Sequence, residues 1–160
     1  MIQKITSLLL LVIIITAFST TESTTYKCMI QMKNYTGEGA YVVISLLNPK
    51  GEYVKTLYVQ GDDEEWYHDI TEWWNFQGKV HAEIDGITGA TISGGNRAIS
   101  HLNIDNDKID NGYKIRFETA VEDKEYFKND VEFELTSKTI KNKTDGKGFI
   151  RYIRLIPQKK

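Results

Sequence analysis

Residues 85–97, Asp85-Gly86-Ile87-Thr88-Gly89-Ala90-Thr91-Ile92-Ser93-Gly94-Gly95-Asn96-Arg97, are the stretch whose residue types most directly suggest chemistry. Four glycines and one alanine keep steric bulk low around three hydroxyl side chains. A hydroxyl in such a loop can be approached by a large partner, and backbone N–H groups can face an anion. Arg97 offers a charge-assisted contact to a phosphate, and Asn96 a neutral one. The spacing fits neither the P-loop nor the GxGxxG dinucleotide motif. On residue chemistry alone the stretch reads either as a phosphate-facing loop or as an ordinary glycine-rich loop.

Other constellations are weaker. His68, His81 and His101 lack ligand-like spacing and any HExxH or cysteine context, so no metal site is expected from them. The acidic run Asp105-Asn106-Asp107-Lys108-Ile109-Asp110-Asn111-Gly112 approaches a calcium loop in composition. Ile109 stands where an oxygen ligand is required and no Glu closes the loop, so a solvated turn is expected. No GxSxG, SxxK or Cys/His arrangement points to nucleophilic catalysis, and no catalytic residue is assigned. Asn34-Tyr35-Thr36 and Asn142-Lys143-Thr144 fit the glycosylation pattern, which bears only on a eukaryotic source.

The elements that must position residues 85–97 follow from hydropathy. From residue 26 onward apolar residues recur mostly with period two, the pattern of half-buried strands. Strands are expected at 26–34, 41–47, 53–59, 80–84, 113–117, 131–135 and 149–156. The second and third flank Asn48-Pro49-Lys50-Gly51, where Pro presets the turn and Gly closes it, which predicts a hairpin. About seven short strands separated by turns suggest a mainly β fold, an antiparallel, immunoglobulin-like β-sandwich. One segment breaks the period. Trp66, Ile70, Trp73 and Trp74 share a helical face, preceded by Asp62-Asp63-Glu64-Glu65, which suits the positive end of a short amphipathic helix capped by Asp62 or Asp63.

The chain has 160 residues and a formal net charge of −2, which fits one domain and excludes a basic nucleic-acid binder. Its single cysteine excludes an intrachain disulfide and CxxC motifs, and Cys28 is expected to be buried. Lys4 precedes the apolar run Leu8-Leu9-Leu10-Leu11-Val12-Ile13-Ile14-Ile15, which falls short of the ~20 residues needed to span a bilayer. Ala17 and Ser19 are small residues placed for cleavage before Thr20, so residues 1–19 read as a secretory signal peptide, with an uncleaved anchor as the alternative. Cys28 lies too far beyond the run to be a lipoprotein cysteine. Residues 20–160 then form a single β-sandwich domain, secreted to the periplasm or cell surface and not itself membrane-spanning.

Two resemblances sharpen this reading. Asp85-Gly86-Ile87-Thr88-Gly89-Ala90-Thr91 resembles the acceptor motif of bacterial flavin transferases, as in the FMN-binding subunits of sodium-translocating NADH:quinone reductases and the related Rnf complexes. The last Thr of that motif receives FMN through a phosphoester, which carries over to Thr91; Asp85, Thr88, Gly89 and Ala90 match the other specified positions. Over residues 26–157, the order of a Tyr-Val-Val-Ile strand, a hairpin ending Lys55-Thr56-Leu57, Trp73-Trp74 and the motif is similar to a family of predicted periplasmic proteins of unknown function. Members of that family occur with, or fused to, PepSY-type membrane proteins and are regarded as targets of covalent flavinylation. This sequence departs from that pattern at His101-Leu102-Asn103-Ile104-Asp105-Asn106, so contacts made by that stretch are not carried over.

The resemblances imply an extracytoplasmic flavoprotein electron carrier, with covalent FMN on Thr91 and the flavinylation loop at 85–97. Its implied partners are a flavin transferase and a PepSY-type membrane reductase or another redox protein. Asp85 would orient the loop, engage the transferase or simply cap a turn, while Arg97 would contact phosphate. Trp66, Tyr67, Trp73 and Trp74 are candidates for stacking on the isoalloxazine ring. Helical spacing assigns Trp66, Ile70 and Trp73 to a core, leaving Trp74 and Phe76 at the helix exit as the favoured flavin contacts. The alternative is a non-redox secreted β-sandwich that binds protein or carbohydrate, with residues 85–91 as a structural turn.

Overall fold

The computed structural model describes residues 22–80 and 83–158, so the leader read as residues 1–19, Ala82 of the expected fourth strand, and His81 lie outside the described residues. The described strands are β1 (Ser23–Met32), β2 (Tyr41–Leu47), β3 (Tyr53–Gln60), β4 (Thr88–Gly89), β5 (Arg97–Asp105), β6 (Lys114–Ala120), β7 (Phe127–Glu134), β8 (Lys143–Asp145) and β9 (Ile150–Pro157). They form a β-sandwich. One sheet has the order β5-β1-β9-β8 and the other β4-β3-β2-β6-β7. All neighbours are antiparallel except β3 and β4, which run parallel and make the second sheet mixed.

The hairpin forms as the turn residues predict. Gly51 N–H donates to the Asn48 carbonyl at 2.9 Å, and Asn48 Oδ1 accepts from Lys50 N–H at 2.9 Å. Gly51 takes φ of 83°, the left-handed conformation that glycine adopts without a Cβ penalty. Tyr26, Cys28, Ile30 and Met32 alternate inward along β1 and join Val42, Ile44 and Leu46 of β2 and Ile115 and Phe117 of β6 in the core between the sheets. Cys28 is fully buried there, and burial pushes its thiol up to about 12. The acidic run at 105–112 makes a 3-10 turn, Asn106–Lys108, before β6.

The two central strands β2 and β6 are buried on both faces. Their outward side chains Val43 and Ala120 meet a second core of Tyr67, Ile70, Trp73 and Ile84, supplied by the segment between β3 and β4. That segment is two pieces rather than one helix: a 3-10 helix, Glu64–Asp69, then α1 (Thr71–Val80). Asp63 caps the first piece, its Oδ1 accepting from Glu65 N–H at 3.1 Å. Ile70, at φ −88° and ψ 66°, breaks the helical path and is fully buried against the sheet. Val80 closes α1 instead of opening the strand expected at 80–84, and Ile84 anchors the following loop in the second core. The alternation of Val80, Ala82 and Ile84 imitates a strand because a helix end and a buried loop residue happen to lie four positions apart. Conversely, β5 was not expected, since its inward positions Ala98 and Ser100 are small or polar.

A buried carboxylate docks α1 on the sheet. Glu118 of β6 is fully buried, and its carboxylate accepts hydrogen bonds from Tyr53 Oη, Tyr126 Oη and the backbone N–H of Trp73. Glu72 N–H reaches Tyr126 Oη at 3.3 Å, so the first turn of α1 faces an acid, where the helix dipole favours negative charge. Arg116 lies beside it, its Nε 2.6 Å from Glu132 Oε2 and its guanidinium 5.4 Å from the Tyr53 ring centroid. Trp73, fully buried, ties the helix to β3 through Nε1–H donated to Thr56 Oγ1 at 2.8 Å. Burial raises Glu118 above the ordinary carboxylate range, against the pull of its donors and of Arg116. Burial and the adjoining Glu118 raise Tyr53 and Tyr126 well above the usual phenol range.

Replacing Glu118 by Ala strands two phenols and a helix N–H, and is expected to lower unfolding free energy by about 3 kcal/mol in urea titration. A loss below about 1 kcal/mol would show that α1 is held by apolar contact alone. Because Tyr53 and Tyr126 stay protonated in the fold while the unfolded chain ionises them near 10.0, the stability they contribute is full below that pH and lost as pH rises through their folded values. Phenolate absorbance should therefore show these two tyrosines ionising only as near-ultraviolet dichroism collapses.

Candidate functional site

The chain leaving α1 must return from the outer face of the five-stranded sheet to β5, at the edge of the other sheet. Residues 85–97 make that crossing. A 3-10 turn, Asp85–Ile87, leads into β4, which pairs Thr88 with Val59 and Gly89 with Gln60 of β3. The Gly89 carbonyl accepts from Gly61 N–H at 2.5 Å, and Tyr58 Oη donates to the Thr88 carbonyl at 3.3 Å. Three residues on, Ile92 is pinned again: its N–H and carbonyl pair with Ala40 at 3.0 and 2.8 Å, Tyr35 Oη donates to its carbonyl at 2.5 Å, and its side chain is buried. Ala90 and Thr91 form an exposed arch between these two anchors.

Close approaches explain several glycines around the arch. A Cβ at Gly39 would overlap the Thr91 hydroxyl and lie 2.7 Å from Thr91 Cβ. A Cβ at Gly89 would lie 2.8 Å from Tyr58 Oη. Gly61, at φ 129°, lies flat against the Tyr41 ring, where a side chain would collide. The loop expected to be open is thus packed on its inner side. Gly94 backs onto the Tyr35 backbone in the same way, whereas a Cβ at Gly86 would meet open space.

Thr91 lies on a divide between two depressions. On one side a broad groove of about 350 Å³ runs past Ser93, Asn96, Arg97 and Ile99, with Tyr58 on its wall. Arg97 is steadied there by Nε donating to Gln31 Oε1 at 3.1 Å. On the other side a smaller cavity of about 130 Å³ is lined by Gly39, Tyr41 and Trp66 together with three carboxylates, Glu38, Asp69 and Glu122. Burial raises the Tyr41 phenol, and the charges of Asp63, Asp62, Asp69 and Glu122 raise it further, so this side carries a negative field. An anion on Thr91 is favoured toward Arg97 and disfavoured toward the carboxylates.

The structure thus gathers Gly89, Ala90, Thr91 and Arg97 around one groove, with Thr88 just behind it in β4 and Asp85 at the turn that precedes β4. Trp74 lies elsewhere: it is 39% exposed on α1, its ring centroid 6.1 Å from those of Tyr67 and Trp73, and it lines neither depression. Phe76 stacks on Tyr53 at 5.2 Å, away from the arch. Trp66, placed in the core by its helical spacing, is instead half-buried beside Thr91. Gly39, Gly61 and Tyr41 carry no motif in the sequence; their one signal is position, two glycines and an aromatic at the ends of the hairpin strands β2 and β3.

A family model described as Predicted periplasmic protein (DUF2271) matches residues 23–152. The chain belongs to this family. No curated protein and no solved structure matches it. The match covers the DUF2271 domain from β1 into β9, so both depressions and the whole arch are family territory. The family's description places its members in the periplasm, one of the two locations, periplasm or cell surface, read from the apolar leader. Among the described residues, no helix is long and apolar enough to cross a membrane.

The packing around the arch makes a contrast testable within this DUF2271 domain. Gly39→Ala forces Thr91 to move and is expected to cost roughly 1–3 kcal/mol, as overpacking does. Gly86→Ala, facing open space, should change the urea midpoint little. Equal effects at the two positions would mean that Gly39 and Thr91 are not in contact in solution.

Proposed function

We propose that this protein is an extracytoplasmic flavoprotein electron carrier, with FMN joined through a phosphoester to Thr91 by a flavin transferase. The observation that carries the reading is the arch: Thr91 is exposed on a segment pinned at Gly89 and at Ile92. An acceptor of this kind needs no base of its own. Thr91 Oγ1 forms the new P–O bond to the FMN phosphorus of FAD, the pyrophosphate bond breaks, AMP leaves with the electron pair, and the hydroxyl proton passes to the transferase.

The residues present fit such a group. Arg97 stands on the same groove as Thr91 and would offset the remaining phosphate charge, with Ser93 and Asn96 as neutral neighbours. Gly89 and Ala90 leave the approach low, and the rigid anchors keep the hydroxyl presented without an ordering cost at the moment of transfer. Bound flavin supplies one- and two-electron chemistry that no side chain of this protein offers. Electrons would be exchanged with a PepSY-type membrane reductase or another redox protein. A covalent tether suits a compartment where lost cofactor cannot be replaced from a cytoplasmic pool.

Co-expression with a bacterial flavin transferase tests this by intact mass. Wild-type protein is expected to gain the mass of FMN minus water, and Thr91→Val, nearly isosteric and exposed, is expected to fold and gain nothing. An adduct persisting in the variant would move the acceptor to Thr88 or Ser93. No adduct in the wild type, with the transferase active on a known acceptor, overturns the reading in favour of a secreted binding module.

A further inference from the structure

The attached cofactor, on the reading of Thr91 just given, has two chemically unlike ends, and Thr91 has two chemically unlike sides. The phosphodiester is anionic and belongs toward Arg97. What remains is an uncharged chain of hydroxyl groups ending in a flat heteroaromatic ring, with several O–H and N–H donors. The smaller cavity offers the complementary set: carboxylates that only accept hydrogen bonds, and the aromatic side chains of Trp66 and Tyr41.

We propose that the ribityl chain and isoalloxazine ring of the flavin on Thr91 are seated in this acidic cavity, against Trp66 and Tyr41, and not in the Arg97 groove. Its walls are preformed. Tyr41 is fixed on one side by Gly61, contacts Tyr67 edge-on at a centroid distance of 6.3 Å, and donates its hydroxyl to the Asp63 carbonyl at 3.3 Å. Trp66 is carried by the capped 3-10 helix, with its backbone N–H held by the Asp63 carbonyl at 3.3 Å and its ring near that of His68. At about 130 Å³ the cavity takes one face or edge of the ring and leaves the rest open to a redox partner. By contrast, the Arg97 groove offers a single aromatic side chain, Tyr58, against the two of this cavity. The carboxylates also disfavour the negative charge that reduced flavin carries, so the seat biases the cofactor toward a stronger reductant.

Flavin fluorescence of the full, flavinylated chain decides the matter, because stacking on Trp or Tyr quenches it. Intact mass is measured on the same samples. Wild-type protein is expected to be dim and to brighten on denaturation. Trp66→Leu is expected to carry the same mass adduct and be clearly brighter than wild type, with Tyr41 left to quench in part, Trp66→Tyr to remain as dim as wild type, and Tyr58→Leu to behave as wild type. A folded wild-type adduct as bright as free FMN overturns the proposal without any variant. So does a Trp66→Leu adduct no brighter than wild type, and dimness lost only in Tyr58→Leu would place the ring in the Arg97 groove. Absence of the mass adduct in wild-type protein overturns the reading of Thr91 and this seat with it, whereas an adduct with the wrong fluorescence overturns the seat alone.

Discussion

The constraint on which this structure turns is that strands β2 and β6 are buried on both faces and only one of those faces meets the opposing sheet. An antiparallel sandwich ordinarily leaves its outer faces to water. Here Val43 and Ala120 would be exposed on that face, so the chain between β3 and β4 must cover them. Apolar area supplies most of the driving force, with Trp73 alone worth about 3–5 kcal/mol by the usual cost of truncating a buried aromatic. Area does not fix orientation, however. The Glu118 carboxylate does, because it can satisfy Tyr53, Tyr126 and the first turn of α1 in one arrangement. The desolvation of that carboxylate is the cost of specifying where the helix starts.

The site is a by-product of the same constraint. Once the covering segment lies on the outer face, the chain has to cross the end of the sandwich to reach β5. The crossing is held by whatever backbone it passes, Gly61 on β3's exit and Ala40 on β2's entry. The covering segment also brings Trp66 and Asp69 to the rim of that end, opposite Glu38 and Gly39. Thr91 therefore sits where three separate stretches of sequence meet, and the unlike polarity of its two sides comes from their different origins.

That history explains what the sequence discloses and what it hides. The hairpin is legible because Pro49 and Gly51 impose local dihedrals that no distant contact overrides. Strands β6, β7 and β9 are legible because apolar alternation records a face. The break at Ile70 is not, since the same spacing serves a continuous helix and two pieces that share a core. β5 hides behind Ala98 and Ser100, whose inward positions carry little apolar signal. At the site, Thr91 and its loop stand out as a contiguous motif. Gly39, Gly61 and Tyr41 do not, because their roles exist only through contacts with residues far along the chain. Trp66 is one of the candidate stacking aromatics whose spacing points to a core, whereas the two-piece helix leaves it half-buried at the rim.

The lone thiol carries a different consequence. Cys28 is sealed between the sheets, and at a pKa of about 12 it holds almost no thiolate at neutral pH. Thiolate is the form that attacks disulfides and is captured by oxidising enzymes. In an oxidising envelope the folded protein is therefore a poor substrate for mixed-disulfide formation and dimerisation. Its exposure to that chemistry is confined to the interval before β1 closes against β2.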